Sequence, residues 1–295
     1  MGKVVLKAPG KINWTLDVME KRPDGYHEVE MLMQSISLWD DVVLTECSEG
    51  VKVTGNTEEM PLNENNLAAK AARLIINKFG IEKGVHIDIN KRIPIAAGLA
   101  GGSTNAAAVL VGLNVLWDLK LPVSRLAELG VELGADVPFC IYGGTAEARG
   151  IGEKLTHLPP IEGIWLVLVK PPFGISTAWA YRELKIDKVV SHPDIKMAYT
   201  VLRSGEWEEL SRYLGNVLES VARGSYPEIN DIKEALLKAG AKASMMTGSG
   251  PTVYGIFQNK ADAMKAADEI KKSYSQVHVV STRTRGVEIA EGGNL

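Results

Sequence analysis

The chain has 295 residues, 45% hydrophobic and 23% charged, which is typical of a globular protein with one large or two medium domains. Its 33 basic and 36 acidic residues give a net charge of -3, which argues against a nucleic-acid or membrane-surface partner. The two cysteines, Cys47 and Cys140, exclude a disulfide framework and a four-thiolate zinc site.

The first part of the chain is rich in predicted strands. Its opening text, MGKVVLKAPGKINWTL, lacks the apolar core and cleavage site of a signal peptide, so we expect a cytoplasmic protein. Branched and alternating apolar residues between Gly, Pro and Asp breaks then predict further short strands. These segments are VVLKA, INWTLDV, EVEMLMQSISL, DVVLTE and VKVT.

Helices and strands alternate in the next part. NNLAAKAARLIINKF has the apolar stripe of a helix, and VHIDINKRI alternates like a half-buried strand. After an uncharged stretch come a short helix over 124–133, the segment GADVPFCI and a strand at GTAEARG. PPIEG, residues 159–163, is the best candidate boundary, so we predict domains at 1–160 and 161–295.

The second half begins with a strong strand, IWLVLVK. Helical segments follow, with breaks at the two Xaa-Pro pairs His192-Pro193 and Tyr226-Pro227. The end is predicted as strand, turn (TGSGP), strand, helix and strand. This order favours an α+β fold with an antiparallel sheet.

The uncharged stretch PIAAGLAGGSTNAAAVLVGLNVLW, residues 94–117, admits three interpretations. Its apolar helical part, residues 106–117, is too short to cross a membrane. A buried helix explains that part but not the glycines before it. A phosphate cradle explains both, because glycines let backbone N–H groups converge on an anion at a helix start near Ser103 or Thr104. Since no Lys follows the last glycine, the loop is not a Walker A loop, and the alternating strand before it argues against a dinucleotide fingerprint.

Three segments resemble the motifs of the GHMP kinase superfamily in order and spacing: APGKIN, PIAAGLAGGSTNAA and TGSGPTVY. The resemblance covers essentially the whole chain. It implies an α+β, two-domain architecture in which a domain like ribosomal protein S5 domain 2 precedes a ferredoxin-like domain, with the active site between them. Ala96, Ala97 and Ala100 stand where the family frequently has glycine, which narrows the allowed backbone dihedrals there.

RPDGYHEVE and LGADVPF are similar to one branch of that superfamily. Members of this branch phosphorylate the 2-hydroxyl of a methylerythritol linked to cytidine diphosphate, in the non-mevalonate route to isoprenoids. The resemblance therefore implies an ATP-dependent small-molecule kinase. A mevalonate- or homoserine-type kinase is a rival that DGYH disfavours, and a non-catalytic nucleotide sensor would need neither Lys11 nor Asp136. The sequence does not indicate whether the chain is a monomer or an oligomer.

The resemblance implies that Asp136, in GADVP, is the catalytic carboxylate and that Lys11, in PGKIN, stabilises the negative charge that develops during transfer. Taken alone, the aspartate is typical of a turn or cap and the lysine of a surface charge. Whether Asp136 abstracts the proton early or only orients the hydroxyl stays open.

Substrate contacts also follow from the resemblance. Tyr26 and His27, in DGYH, are expected at the cytidine, with Asn13 as a further contact. Thr177 and Tyr181, in ISTAWAY, are less securely matched, and Tyr181 would close an aromatic sandwich around the cytosine. The alternatives are turn residues at DGYH and core packing for Tyr181.

The nucleotide is expected on the glycine-rich loop, whose members are Pro94, Ile95, Ala96, Ala97, Gly98, Leu99, Ala100, Gly101, Gly102, Ser103 and Thr104. Asn66 and Lys91 are expected on the adenine side, with a helix cap and a solvated strand charge as the respective alternatives. Mg²⁺ is expected because the β- and γ-phosphate charge needs neutralising. Ser103 or Thr104 offers a hydroxyl ligand, but the metal ligands are not fixed by the sequence. TGSGP is expected to shape the loop that closes the cleft.

Overall fold

The computed structural model describes residues 2–291, which form twelve strands and ten α-helices. The strands are β1 (Lys3–Lys21), β2 (His27–Cys47), β3 (Val51–Gly55), β4 (Gly84–Asn90), β5 (Thr145–Arg149), β6 (Lys154–Leu158), β7 (Trp165–Lys170), β8 (Gly215–Asn216), β9 (Ser244–Met246), β10 (Val253–Phe257), β11 (Gln276–Ser281) and β12 (Glu288–Glu291). The helices are α1 (Leu67–Phe79), α2 (Gly101–Leu116), α3 (Val123–Val131), α4 (Val137–Tyr142), α5 (Thr177–Glu183), α6 (Ile195–Ser204), α7 (Leu210–Tyr213), α8 (Val217–Ser225), α9 (Glu228–Lys238) and α10 (Lys260–Ile270).

Two long antiparallel strands, β1 and β2, dominate the first sheet. Four short strands were predicted where these two occur, so the predicted breaks at Pro9-Gly10 and at Trp39-Asp40 are wrong. The register shifts between Pro9 and Lys11 and again between Asn13 and Thr15. Bulges of this kind keep a strand paired across residues that interrupt its alternation, and they increase its local twist.

The first sheet has the order β12-β1-β2-β4-β3. In addition, β5 pairs with β2, β6 pairs with β5, and the short β8 pairs with β1. Its outermost strand, β12, comes from the end of the described chain and pairs antiparallel with β1. The chain thus returns to its first sheet after building the second one. The division into residues 1–160 and 161–295 stays a prediction.

The second sheet is antiparallel throughout, with the order β11-β7-β10-β9. Helices α5 to α9 lie between β7 and β9 in the chain, and α10 connects β10 to β11. Reduced to its sheet and principal helices, this is the β-α-β-β-α-β pattern of ferredoxin-like folds. The predicted α+β class and the antiparallel second sheet are confirmed.

Buried apolar side chains form three clusters. The first lies against the first sheet alone, whereas the second and the third each combine side chains from both sheets. The third cluster includes Trp14 and Leu32 from the first sheet and Leu168 and Tyr254 from the second. Helix α2 contributes many side chains to the first cluster, since its residues from 104 to 113 are all buried. No helix within residues 2–291 combines the length and the apolar character that crossing a membrane requires.

Candidate active site

A cleft of about 1310 Å³ contains most of the predicted site residues. Its walls come from the glycine-rich loop, the β1–β2 hairpin, the segment before α4, and α5 with the turn that follows it. Asn13 and Thr104 are the two predicted residues that do not line it. The predicted residues on its walls are Lys11, Tyr26, His27, Asn66, Lys91, Pro94 through Ser103, Asp136, Thr177 and Tyr181.

The glycine-rich loop alternates in backbone conformation. Ala96, Gly98 and Ala100 have φ values of 50°, 73° and 56°, all in the left-handed region. A backbone that enters this region at every second residue turns successive N–H groups toward one side, which is the geometry of an anion-binding nest. The two alanines adopt a conformation that L residues other than Asn and Asp rarely adopt.

Helix α2 begins at Gly101, so the last four residues of the glycine-rich segment form its first turn. Its N-cap, Ala100, has no side-chain oxygen, and the first turn contains no acidic residue. The N–H groups at the helix start therefore have no side-chain cap, and the positive end of the helix dipole lies at the cleft. The amide of Thr104 is already bonded to the carbonyl of Ala100, at 2.9 Å.

Lys11 and Asp136 lie together, 125 positions apart in the sequence. Lys11 Nζ is 3.8 Å from Asp136 Oδ2, and it donates a hydrogen bond to Asn13 Oδ1 at 2.8 Å. The lysine side chain is buried, whereas 30% of the aspartate side chain is exposed. Although Asp136 immediately precedes α4, its carboxylate makes no capping hydrogen bond, so it is free to face the cleft.

Two predicted residues lie behind the cleft wall. Asn13 is fully buried, and its amide contacts the Lys11 ammonium and the sulfur of Met31, at 3.3 Å. The Thr104 side chain is also fully buried in α2. Ser103 and Thr104 were both expected to offer a hydroxyl to the metal ion, and of these two residues only Ser103 lines the cleft.

Lys91 takes part in a buried ion pair beneath the loop. Its ammonium lies 2.5 Å from Asp40 Oδ2 and 3.1 Å from Asn105 Oδ1. Both charged side chains are almost completely buried, so the alternative of a solvated strand charge is wrong. A Cβ on Gly101 would come within 2.9 Å of Lys91 Nζ, which places the ammonium directly under the start of α2. The predicted contact with adenine stays a prediction.

Asn66 is the N-cap of α1. Its Oδ1 accepts from the amide of Ala68 at 2.8 Å, and its Nδ2 donates to the carbonyl of Pro61 at 2.7 Å. The helix-cap interpretation is confirmed. One N–H and one oxygen lone pair remain, because a carboxamide has two donors and two acceptor positions.

The other end of the cleft is aromatic. His27 and Tyr181 stack with ring centroids 5.1 Å apart and an interplanar angle of 28°, while Tyr26 is 60% exposed at the rim. This direct contact between His27 and Tyr181 was not predicted. Burial, and the charge of Lys21 beside it, lower the pKa of His27, so its imidazole is neutral at pH 7. Burial also raises the pKa of Tyr181, which stays a phenol.

The turn at residues 247–250 closes the cleft against the glycine-rich loop. Gly98 approaches so closely that an added Cβ would lie 2.3 Å from the carbonyl oxygen of Thr247. On the same side, the hydroxyl of Thr177 lies 2.9 Å from that of Ser249. The predicted role of TGSGP in shaping the cleft is consistent with these contacts.

The side chains at the cleft do not form a metal-binding site of their own. Among residues 2–291, no three His, Cys, Asp or Glu side chains are grouped to hold a metal ion. Cys140 follows Asp136 by one helical turn, but burial raises the pKa of its thiol, which is therefore a poor ligand. A metal ion here would depend on phosphate oxygens for most of its ligands.

Comparisons with known proteins agree with this geometry. The family described as "GHMP kinases N terminal domain" matches residues 66–144, and "GHMP kinases C terminal" matches residues 198–276. The 4-diphosphocytidyl-2-C-methyl-D-erythritol kinase of Clostridioides difficile is 48% identical over 291 residues, which cover 98% of each chain. The chain belongs to the GHMP kinases.

Two further relatives place this GHMP kinase within the same branch. The 4-diphosphocytidyl-2-C-methyl-D-erythritol kinase of Bacillus subtilis is 47% identical, covering 94% of this chain and 96% of its own. A crystal structure of 4-(cytidine 5'-diphospho)-2C-methyl-D-erythritol kinase superposes with a TM-score of 0.82 at 32% identity, covering 94% of this chain and 98% of the other. The predicted family, two-domain fold and kinase class are confirmed.

Some residues around the site of this GHMP kinase were missed in the sequence. Asp40, which pairs with Lys91, could have been found from the sequence. It is a charged residue within an apolar strand, and a buried charge requires a partner. Thr247 lies within TGSGP and was interpreted only as part of a turn. Nothing in the sequence indicates that Thr247 contacts the first sheet.

Proposed function

We propose that this GHMP kinase transfers the γ-phosphoryl group of ATP to the 2-hydroxyl of 4-diphosphocytidyl-2-C-methyl-D-erythritol. The products are the 2-phosphate and ADP, in the non-mevalonate route to isoprenoid precursors. The observation that carries the site assignment is the Lys11–Asp136 pair, 3.8 Å apart in the same cleft as the glycine-rich loop. Phosphoryl transfer needs this combination, because its catalysis consists of positioning and charge stabilisation.

The glycine-rich loop holds the triphosphate in this proposal. Its alternating conformation and the uncapped start of α2 supply backbone N–H donors, and no carboxylate in the first turn of the helix repels the phosphates. The buried Lys91 ammonium adds positive charge below Gly101, although the Asp40 carboxylate offsets part of it. The terminal phosphate then points along the cleft toward Lys11.

Lys11 and Asp136 act on the acceptor hydroxyl. The Asp136 carboxylate orients this hydroxyl and receives its proton, and the Lys11 ammonium stabilises the negative charge on the transferring group. A hydrogen bond to Asn13 holds the ammonium in place. Asn13 therefore contributes through Lys11, since its side chain does not line the cleft.

Mg²⁺ accompanies the nucleotide. Ser103 is the hydroxyl that would reach it, and Asp136 is the nearby carboxylate on the cleft wall. This sparse set fits an ion that usually keeps several waters and binds through one or two protein oxygens plus substrate phosphates. When bound, Mg²⁺ neutralises charge on the β- and γ-phosphates.

The cytidine end of the substrate binds at Tyr26, His27 and Tyr181. A neutral His27 has one donor and one acceptor nitrogen, which suits the mixed polar edge of cytosine. The 5.1 Å stack of His27 on Tyr181 leaves no room for a base between these two rings. The base therefore stacks on an outer ring face, toward Tyr26, or displaces Tyr181.

Phosphoryl transfer is tested by measuring ADP release with four acceptors: the cytidine diphosphate alcohol, mevalonate, homoserine and water. We expect turnover with the first alone. Comparable turnover with mevalonate or homoserine would contradict the proposed substrate, and ATP binding without any turnover would indicate a nucleotide sensor.

The site assignment is tested with Lys11→Ala and Asp136→Ala. Each is expected to lower kcat at least ~100-fold, because each removes a group that acts on the reacting atoms. Matched controls are Lys83→Ala and Asp268→Ala, whose side chains pair with Glu46 and Lys271 and do not line the cleft. Near-normal turnover of a folded Lys11→Ala or Asp136→Ala protein would remove that residue from the mechanism.

A further inference from the structure

The edge of β1 that faces away from β2 is only partly covered by other strands. β12 pairs with residues 5–7 and β8 pairs with residues 15–16. The backbone between these two segments contains Lys11. Buried backbone groups at such an uncovered edge need partners from elsewhere in the molecule.

These partners come from both of the loops that form the cleft. The amide of Lys11 donates to the carbonyl of Leu99 in the glycine-rich loop, at 3.1 Å. The amide of Asn13 donates to the Thr247 hydroxyl at 3.0 Å, and the Tyr254 hydroxyl donates to the carbonyl of Asn13 at 3.0 Å. Both backbone groups of Asn13 are thus held by side chains that belong to the second sheet and its turn.

The contact is completely buried. Asn13, Thr247 and Tyr254 are fully buried. The bulge in β1 places Trp14 next to them, and its ring meets that of Tyr254 edge to face, with centroids 5.8 Å apart. Since burial raises the pKa of Tyr254, its hydroxyl keeps the proton that it donates to Asn13.

We propose that Thr247 and Tyr254 are positioning residues for the Lys11 ammonium. The Asn13 side chain accepts from Lys11 Nζ, while its backbone is fixed by Thr247 and Tyr254, so the second sheet sets where the ammonium lies. Misplacement of a catalytic group by about 1 Å lowers turnover by up to ~100-fold. This inference rests on the proposed role of Lys11.

The test compares Thr247→Val with Thr247→Ser. Valine keeps the shape of threonine but leaves the Asn13 amide without an acceptor, whereas serine keeps the hydroxyl. We expect Thr247→Val to lower kcat about tenfold with the KM values for ATP and alcohol changed less than about twofold, and Thr247→Ser to restore most of kcat. Tyr254→Phe should lower kcat in the same direction.

Thr252→Val is the matched control. Thr252 is also a buried threonine, directly before β10, and its hydroxyl has no hydrogen-bond partner within residues 2–291. We expect it to keep the kcat of the unmodified protein. Thermal unfolding of all variants separates loss of folded protein from loss of turnover.

A second comparison separates positioning from general damage. In a Lys11→Ala background, Thr247→Val should lower the residual kcat no further, because two changes that act through one group are not additive. An equal loss in both backgrounds would overturn the proposal, as would normal kcat in folded Thr247→Val. If Lys11→Ala itself keeps full turnover, the proposed role of Lys11 fails first.

Discussion

At the scale of single residues, the glycine-rich loop contains two alanines in a backbone conformation suited to glycine. Ala96 and Ala100 have φ values of 50° and 56°. For an L residue the left-handed region costs roughly 1–2 kcal/mol relative to the right-handed one. Such strain persists where the surrounding structure enforces it, and it is found frequently at ligand-binding sites. The loop conformation is therefore maintained by its surroundings rather than by its own residues.

Ala100→Gly and Gly98→Ala test this view in opposite directions. Glycine at 100 removes the left-handed strain but gains freedom in the unfolded chain, so we expect a free energy of unfolding higher by up to about 1 kcal/mol. Alanine at 98 would place its Cβ 2.3 Å from the Thr247 carbonyl oxygen, so we expect the free energy of unfolding to fall and the KM for ATP to rise.

Urea unfolding and the KM for ATP provide the measurements for this pair. Gly163→Ala is a control for adding a methyl group at positive φ, since a Cβ there would meet no atom within 4 Å. Equal destabilisation by Gly98→Ala and Gly163→Ala would show that the close approach to Thr247 contributes nothing.

At the scale of elements, Asp40 joins a strand, a loop and a helix. Its fully buried carboxylate accepts from the backbone amides of Arg92 and Ile93, at 2.7 and 2.8 Å, from Lys91, and from Asn105 in α2, at 2.8 Å. These bonds attach the exit of β4 and the first turns of α2 to β2. They fix both ends of the glycine-rich loop, which lies between β4 and α2.

Removing both partners of this ion pair should cost less than the two single losses added together. Asp40→Ala leaves a buried ammonium without a counter-charge, so we expect unfolding free energy to fall by about 3–5 kcal/mol. The double variant Asp40→Ala/Lys91→Met should lose less than the sum of the two single changes. Urea denaturation of the four proteins measures this coupling, and additive losses would contradict it.

The elements themselves were largely predictable, because hydrophobic period and Gly and Pro breaks fix helices and strands locally. The alternation in VHIDINKRI predicted β4, whose Val85, Ile87 and Ile89 are buried. The short strands β6 and β12 were missed, since neither carries an extended apolar run. β1 and β2 were each predicted as two strands because a bulge depends on the partner strand, which a single segment does not reveal.

Motifs predicted part of the candidate site, since the structure brings the glycine-rich loop, Lys11 and Asp136 together in one cleft. The roles of these residues stay predictions. Motifs did not indicate which side chains face the cleft. Thr104 and Asn13 were expected there and lie in the interior. Orientation depends on the helical phase of α2 and on the bulge in β1, which are set by packing between elements.

At the scale of the whole molecule, the two sheets are joined by backbone pairing, by apolar packing and by side-chain hydrogen bonds. The chain returns from β11 to pair β12 with β1. A cluster of apolar side chains fills the space between the sheets, and the hydrogen bonds of Thr247 and Tyr254 cross the same interface. The cleft has walls from both halves, so neither half alone forms the nucleotide site that we propose.

This arrangement predicts one cooperative unfolding transition for the whole chain. Interfaces that are large and apolar couple domains, whereas small polar ones leave them independent. A non-hydrolysable ATP analogue at 100 times its Kd should add about 2.7 kcal/mol to the free energy of unfolding and raise the single Tm by roughly 5 °C.

Circular dichroism and tryptophan fluorescence should follow the same curve, because Trp14 lies at the interface and reports on both sheets. Gly98→Ala should unfold without a comparable shift when the analogue is added. Two separate transitions, with only the earlier one moved by the analogue, would show that the halves unfold independently and that the nucleotide is held by one of them.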